Sequence, residues 1–294
     1  MSFLLTILTP TYNRASLLPR LYKSLCAQTC RDFEWIVVDD GSTDGTADLF
    51  SAGTGMKRTV ALRYVRKTNG GKHTAVNSGV REARGVLTLI LDSDDELPPG
   101  AVAAIEAAWK RVEGLHRQDI GGLCGYMAHR NGQRIGTPVV SGLYSSLALR
   151  YEAHVTGDMC EVFRTDVLRD HPFPEVSGER FCPEALVWNR IAREYPLYVI
   201  PDILYLRDYL DGGLTANIVR IRMQSPRASM LTYAELTTCR VPFVVKVKAA
   251  INYWRFWYCR RADTLVPPIA RRWYGLRPVG WMMHRRDVVE HYSA

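Results

Sequence analysis

The chain of 294 residues contains no uninterrupted apolar stretch of about 20 residues, so no helix that spans a membrane is expected. Its opening, MSFLLTILTPTYNR, has no basic leader, and its apolar run is too short for a secretion signal. The seven cysteines (Cys26, Cys30, Cys124, Cys160, Cys182, Cys239 and Cys259) are scattered and odd in number. No paired framework and no Cys/His cluster accompanies them, which argues against disulfides and against a zinc site. Cys26 and Cys30, four residues apart, read as buried thiols. The lack of a signal and of a disulfide framework points to the cytosol. No G-x-G-x-x-G follows the first apolar run, which argues against a dinucleotide-dependent dehydrogenase. Internal repeats and low-complexity tracts are also missing.

What is present is an ordinary globular composition, 47% hydrophobic and 23% charged, able to bury a core. The net charge of +8 is unevenly placed. Residues 1–239 hold 27 basic and 27 acidic side chains, whereas residues 240–294 hold 11 and 3, so the whole excess lies in the tail. The tail also carries four of the seven tryptophans, Trp254, Trp257, Trp273 and Trp281. This shift predicts a domain over 1–239, divided into halves 1–100 and 101–239, and a helical, basic and aromatic extension over 240–294.

Short apolar runs recur at Leu4–Leu8, Glu34–Val38, Val60–Val65 and Val86–Leu91, roughly 26–30 residues apart. Helical spacing lies between and after them, over Ser16–Gln28, Ala75–Ala83 and Pro99–Val112. Strands without polar alternation, separated by helices, predict an α/β fold with a parallel sheet covered on both faces. Further on, Gly122–His129 and Gln133–Val140 flank "RNG", a hairpin signal. Pro183–Glu194 reads as a helix, and Leu197–Tyr209 as a strand followed by the turn DGGLT.

Each of the first four runs ends in a polar loop: TPTYNR, DDGSTDGT, KTNGGKH and DSDDE. In an open parallel sheet these loops share one edge, where ligands bind. Three readings fit the acids Asp92, Asp94, Asp95 and Glu96. They form a solvated loop, or the D-x-D of a phosphatase of the haloacid dehalogenase type, or a seat for a divalent cation that bridges carboxylate to diphosphate. Against the phosphatase, Glu96 stands where that family has Thr or Val, and the motif follows the fourth strand instead of the first. Asp39 and Asp40, at the tip of the second strand, can accept hydrogen bonds from a base or ribose.

The segments TPTYNRASLLPRLYKSL, WIVVDDGSTDGT, NGGKHTAVNSG and LILDSDDELPPGAV, in this order, resemble the inverting family-2 glycosyltransferases of the GT-A fold, over roughly residues 1–215. GERFCPEALVWNRIA and DYLDGGLT resemble a bacterial branch that builds surface polysaccharides. The resemblance implies a Rossmann-like, mostly parallel central sheet flanked by helices, and a UDP-sugar donor. Thr11 and Tyr12 would line the nucleotide pocket, with Thr9, Asn13 and Ser93 beside them. Asp40 would meet the uracil, and Gly71 and Lys72 would lie beside base and ribose. Asp92 would face the ribose or the metal, and Asp94 would ligate Mn²⁺ or Mg²⁺. Asp95 and Glu96 are either solvated or cap the next helix. The family's base is usually the Asp of a Glu-Asp pair; here that place reads Glu184-Ala185, which makes Glu184 the candidate base. Its other reading is a helix cap. Asp158 is the alternative base, or a residue that binds acceptor.

The implied reaction moves a sugar from the donor to a hydroxyl of a glycan or lipid-linked oligosaccharide in capsule, exopolysaccharide or O-antigen synthesis. A non-catalytic, membrane-docked scaffold on the same fold is a further reading, since Ala185 departs from the family. Nucleic acid is not an expected partner, because no recognised module accompanies the basic tail. The run 241–261, VPFVVKVKAAINYWRFWYCRR, suits the inner face of an anionic cytoplasmic membrane. Alternatively, Phe243, Val247, Trp254 and Trp257 pack onto the rest of the protein or onto a second copy of the chain.

Overall fold

The four apolar runs become four adjacent parallel strands in a computed structural model, which describes residues 3–51, 56, 59–208, 217–262 and 264–292. In chain order the first elements are β1 (Phe3–Thr11), α1 (Leu18–Cys26), β2 (Phe33–Asp39), β3 (Ala61–Arg66), α2 (Lys72–Glu82), β4 (Gly85–Ile90) and α3 (Ala101–Glu113). There follow β5 (Gly122–Ala128), β6 (Gly142–Tyr144), α4 (Ser146–Tyr151), β7 (Met159–Arg164), α5 (Thr165–Asp170), α6 (Glu184–Ile191) and β8 (Leu197–Leu206). The chain ends in α7 (Ile218–Gln224), α8 (Pro226–Leu236), α9 (Phe243–Trp257) and α10 (Arg277–Tyr292).

The eight strands form one sheet in the order β3-β2-β1-β4-β7-β5-β8-β6. β1 pairs in parallel with β2 and β4, β2 with β3, and β5 with β8. β7 runs antiparallel to both β4 and β5, and β6 antiparallel to β8. The α/β, mostly parallel expectation therefore holds, with the strand MCEVFR inserted antiparallel at the centre. The carboxyl ends of β1, β2, β3, β4, β5 and β8 share an edge with the amino end of β7.

Two compact units result: Met1–Pro172 with Ile191–Asp208, and Phe173–Arg190 with Tyr209–Ala294. The composition shift near residue 240 falls inside the second, between α8 and α9. In the first unit, Leu18, Leu21 and Leu25 turn one stripe of α1 onto Leu5, Ile7 and Trp35. Val102, Ile105 and Val112 do the same for α3, and each such buried side chain contributes roughly 1.5–3 kcal/mol of transfer free energy. Pro19, in the first turn of α1, sits where no intrahelical N–H is needed.

The expected hairpin forms only at its turn. His129 N–H donates to the Gln133 carbonyl at 2.8 Å and Ile135 N–H to Met127 at 2.8 Å, and the pairing then stops. Pro138 has no N–H to offer a ladder, and Thr137 turns instead to Thr156. The DGGLT turn lies outside the described residues.

In the second unit α9 is a core helix. Its Ala249, Ala250, Tyr253, Trp254 and Phe256 are buried, the last three with Met223, Met230 and Ala234. Trp254 is 3% exposed and donates Nε1–H to the Trp273 carbonyl at 2.8 Å. The Arg260 and Arg277 guanidiniums lie over the Trp257 ring, 3.3 and 4.3 Å from its centroid. The run 241–261 therefore does not lie along a lipid surface over its length: its aromatic stripe is taken up by this unit's own core. Arg255 makes a bidentate pair with the buried Asp287 of α10, which leaves neither charge uncompensated. Among the described residues no helix is long and apolar enough to cross a membrane.

Candidate functional site

The four polar loops meet at the common strand edge and are laced together there. Asn13, in the left-handed region at φ 53°, donates its N–H to Ser42 Oγ at 2.8 Å and accepts from Thr43 N–H at 2.8 Å. Ala15 N–H reaches Asp44 Oδ2 at 3.0 Å. The loops after β1 and β2 therefore form a single rim, from which the Tyr12 ring stands 47% exposed. Thr11 is buried behind it, and its hydroxyl oxygen has no hydrogen-bond partner among the described residues. A buried polar atom without a partner is costly, and a bound polar ligand at the strand tip would relieve that cost. Thr9 is fully buried and accepts from Trp35 Nε1–H at 3.0 Å, so it supports the rim from below.

Asp39 and Asp40 end β2 with different duties. Asp39 accepts from Ser42 N–H at 2.8 Å and from the Tyr64 hydroxyl. Asp40, 3% exposed, accepts from Lys67 Nζ at 2.8 Å, Asn69 Nδ2 at 3.2 Å, Gly70 N–H at 2.9 Å and Gly71 N–H at 2.7 Å. Four donors fill the acceptor capacity of a carboxylate. A base contact by Asp40 would have to displace one of them. Its observed work is to fold the NGG loop. In that loop Gly71 has φ +96°, a conformation that disfavours side chains, and it turns the chain into α2. Lys72, the first residue of α2, then places Nζ 2.6 Å from Asp92 Oδ1. Lys72 is thus tied to the acid loop.

The acid loop carries three carboxylates whose oxygens lie within 4.8 Å of one another, those of Asp92, Asp94 and Asp95. Ser93 is buried between the first two. Burial, helped by the negative charges of Asp92 and Asp94, pushes the Asp95 carboxyl up to about 7, against the pull of the Tyr205 hydroxyl and Arg207. Three converging oxygen-donor groups, with like charges that oppose one another, are what a hard divalent cation fits. Asp92 and Asp94 remain partly exposed, so the cluster opens to solvent.

Residues far along the chain complete this edge. Tyr205, near the end of β8, donates to Asp95 Oδ2 at 2.8 Å and accepts from Asp92 N–H at 3.0 Å. Glu96 and Leu206 exchange backbone hydrogen bonds of 3.0 and 2.8 Å. Arg207 Nη1 holds Asp158, at the start of β7, at 2.9 Å. Neither Tyr205 nor Arg207 stands out in the sequence, because no local pattern announces a contact across about 110 or 49 positions. Glu184 opens α6, in its first turn, and belongs to the second unit.

The chain is similar to known proteins in sequence and in fold. The family model described as Glycosyl transferase family 2 matches residues 6–170. The undecaprenyl-phosphate 4-deoxy-4-formamido-L-arabinose transferase of Pseudomonas aeruginosa (strain LESB58) is 33% identical over 99 residues, 33% of this chain and 29% of that protein. A PGL/p-HBAD biosynthesis glycosyltransferase of Mycobacterium bovis (strain BCG / Pasteur 1173P2) is 39% identical over 107 residues, 35% of this chain and 40% of that one. The chain thus spans well under half the length of these relatives. Among solved structures, S. aureus TarS 1–349 in complex with UDP-GlcNAc superposes with a TM-score of 0.58 at 20% identity, covering 87% of this chain and 72% of that one. The mannosyltransferase PcManGT from Pyrobaculum calidifontis, in complex with GDP-Man and Mn²⁺, gives 0.58 at 19% identity over 100% of this chain and 88% of that one. These two structures share the fold. The family match sets aside the phosphatase reading of the acid loop. With its sheet order, its strand-tip loops and a family match over more than half its length, the chain belongs to glycosyltransferase family 2 and has the GT-A fold.

Proposed function

We propose that this chain is an inverting, metal-dependent hexosyl- or N-acetylhexosaminyltransferase. It would move a sugar from a UDP-sugar to a hydroxyl of a glycan or lipid-linked oligosaccharide in bacterial surface-polysaccharide synthesis. The observation that carries this reading is the convergence of Asp92, Asp94 and Asp95 beside Lys72 on the strand edge that also holds the Tyr12 rim. Asp94 and Asp92 would hold Mn²⁺ or Mg²⁺, which when bound neutralises the charge of a departing diphosphate. Tyr12 and the rim of Thr11 and Asn13 offer a face and polar groups to the nucleotide. Lys72 brings a positive charge to the diphosphate side.

Glu184 is the proposed general base. Its carboxylate takes the proton of the acceptor hydroxyl as that oxygen bonds to the anomeric carbon. The bond from that carbon to the diphosphate oxygen breaks, and UDP leaves with the electron pair. A single displacement inverts the centre. Asp158, oriented by Arg207, is proposed to meet the acceptor and is the alternative base. The name of the Pseudomonas relative includes undecaprenyl phosphate, a lipid phosphate, which supports a lipid-borne partner here.

The test is release of nucleoside diphosphate by the purified full chain from a panel of UDP-sugars and GDP-sugars with Mn²⁺. Release from at least one UDP-sugar, and from no GDP-sugar, is expected. No release from any donor would favour the scaffold reading, and release from GDP-sugars alone would overturn the nucleotide assignment.

A peripheral position on the inner face of the cytoplasmic membrane is part of the same proposal. With the later turns of α9 buried, exposed apolar side chains that can meet lipid include Phe243 and Val244 at its start, 71% and 57% exposed, and Trp281 and Met282 of α10. Exposed Arg271, Arg272, Arg285 and Arg286 would meet anionic headgroups, each worth about 1 kcal/mol near such a surface. The full chain should co-sediment with anionic liposomes at low salt and partly release at high salt. Phe243→Ser with Trp281→Ser should reduce this binding without changing UDP binding. Equal sedimentation of the two proteins would remove this surface as the membrane contact.

A further inference from the structure

Two arginines lie behind the acid loop: Arg20, inside the segment TPTYNRASLLPRLYKSL, and Arg130, the first residue of the RNG turn, neither of which the sequence reading gave a role at the site. Arg20 comes from α1 and Arg130 from the turn after β5. Both point at the same peptide group. Arg20 Nη2 donates to the Asp94 carbonyl at 2.6 Å, and Arg130 Nη2 donates to it at 2.8 Å. Both also hold one carboxylate oxygen two residues on, Glu96 Oε1, at 3.0 Å from Arg20 Nε and 2.7 Å from Arg130 Nε. Arg130 is held in turn by Asp208, with Nη1 2.8 Å from Oδ2.

The peptide plane that these guanidiniums grip joins Asp94 to Asp95. Its orientation fixes the direction in which both side chains leave the backbone. Tyr205 secures the other side, through the Asp95 carboxylate and the Asp92 N–H. A carboxylate cluster without such support would relax apart, because its members repel one another. We infer that Arg20 and Arg130 are positioning residues, a guanidinium clamp that holds the Asp94–Asp95 peptide so that the carboxylates converge on a cation. This rests on the metal reading of the loop given above.

A purely electrostatic role predicts the opposite sign. The two arginines are matched by Glu96 and Asp208, so the four groups are neutral together. Removing Arg130 leaves one uncompensated negative charge near the loop. If charge alone mattered, a cation would then bind more tightly. If positioning matters, it binds more weakly, in the range of about 10–100-fold known for residues that support metal ligands.

The experiment is titration of the full chain with Mn²⁺, followed by the paramagnetic resonance of the free ion, for wild type, Arg130→Met, Arg130→Lys and Arg20→Met. UDP binding in EDTA and thermal melting are measured alongside. The clamp predicts that Arg130→Met weakens Mn²⁺ binding at least about tenfold while metal-free UDP binding stays within about twofold. Arg130→Lys, which keeps the charge but loses the fork, should recover part of the loss. Arg20→Met leaves one grip in place and should fall between, and it decides the matter if Arg130→Met does not fold. Mn²⁺ binding by the methionine variants that equals or exceeds wild type overturns the clamp and leaves the metal reading standing. Failure of the wild type itself to bind Mn²⁺ overturns both.

Discussion

Asp94→Asn should abolish metal-dependent donor binding and reduce turnover by on the order of 10³ or more. The substitution keeps the size of the side chain and the peptide gripped by Arg20 and Arg130, and it removes one of the converging charges. A bound cation is worth several kcal/mol of transition-state stabilisation, and each 1.36 kcal/mol is tenfold in rate. The measurement is kcat together with UDP affinity in Mn²⁺ and in EDTA. UDP binding should lose its dependence on Mn²⁺, while the residual binding in EDTA matches that of wild type. An Asp94→Asn protein with wild-type turnover would show that this carboxylate holds no catalytic ion.

The second large effect concerns the base. Glu184→Gln should lower kcat by about 10²–10⁴, the range for a positioned proton acceptor, with donor affinity changed less than about twofold. The proposal assigns donor affinity to the rim and the acid loop, and Gln keeps the size of the Glu184 side chain while removing its basicity. Asp158→Asn is the paired comparison. Its carboxylate is held by Arg207 at 2.9 Å, so the amide should raise KM for acceptor while retaining most of kcat. The reverse pattern, with Glu184→Gln near normal and Asp158→Asn inactive, would move the base to Asp158.

Much of the first unit was legible in the sequence because its signals are local. Val86–Leu91 is apolar without alternation, and a strand covered on both faces needs that pattern. Polar loops follow the same four runs, two of them rich in glycine, so parallel topology alone brings them to one edge. Contacts between distant segments were not legible. Tyr205 and Asp95 are 110 positions apart, and Arg130 and Asp94 are 36 apart. Nothing in either neighbourhood specifies the pairing. The antiparallel β7 was missed for a related reason: MCEVFR is short and carries Glu161, and only its neighbours β4 and β5 settle its direction.

Residue type alone also leaves more than one duty open. Asp40 reads as an acceptor waiting for a base, yet four donors from the third loop already occupy it. The aromatic and basic run 241–261 reads either as a surface for lipid or as a stripe that packs onto the protein. Helical spacing places Trp254 and Phe256 in a core, as the second reading has it, and an arginine stacked on Trp257 is a packing partner there as much as a charge. Composition cannot separate these cases, because an apolar stripe suits a bilayer and a neighbouring helix equally.

The central claim is that the acid loop holds a divalent cation that carries a UDP-sugar through transfer. It is tested most directly by following UDP release from the productive donor before and after the ion is stripped with EDTA and then restored. Release should stop in EDTA and return on addition of Mn²⁺ or Mg²⁺; a full rate maintained in excess EDTA would contradict the account.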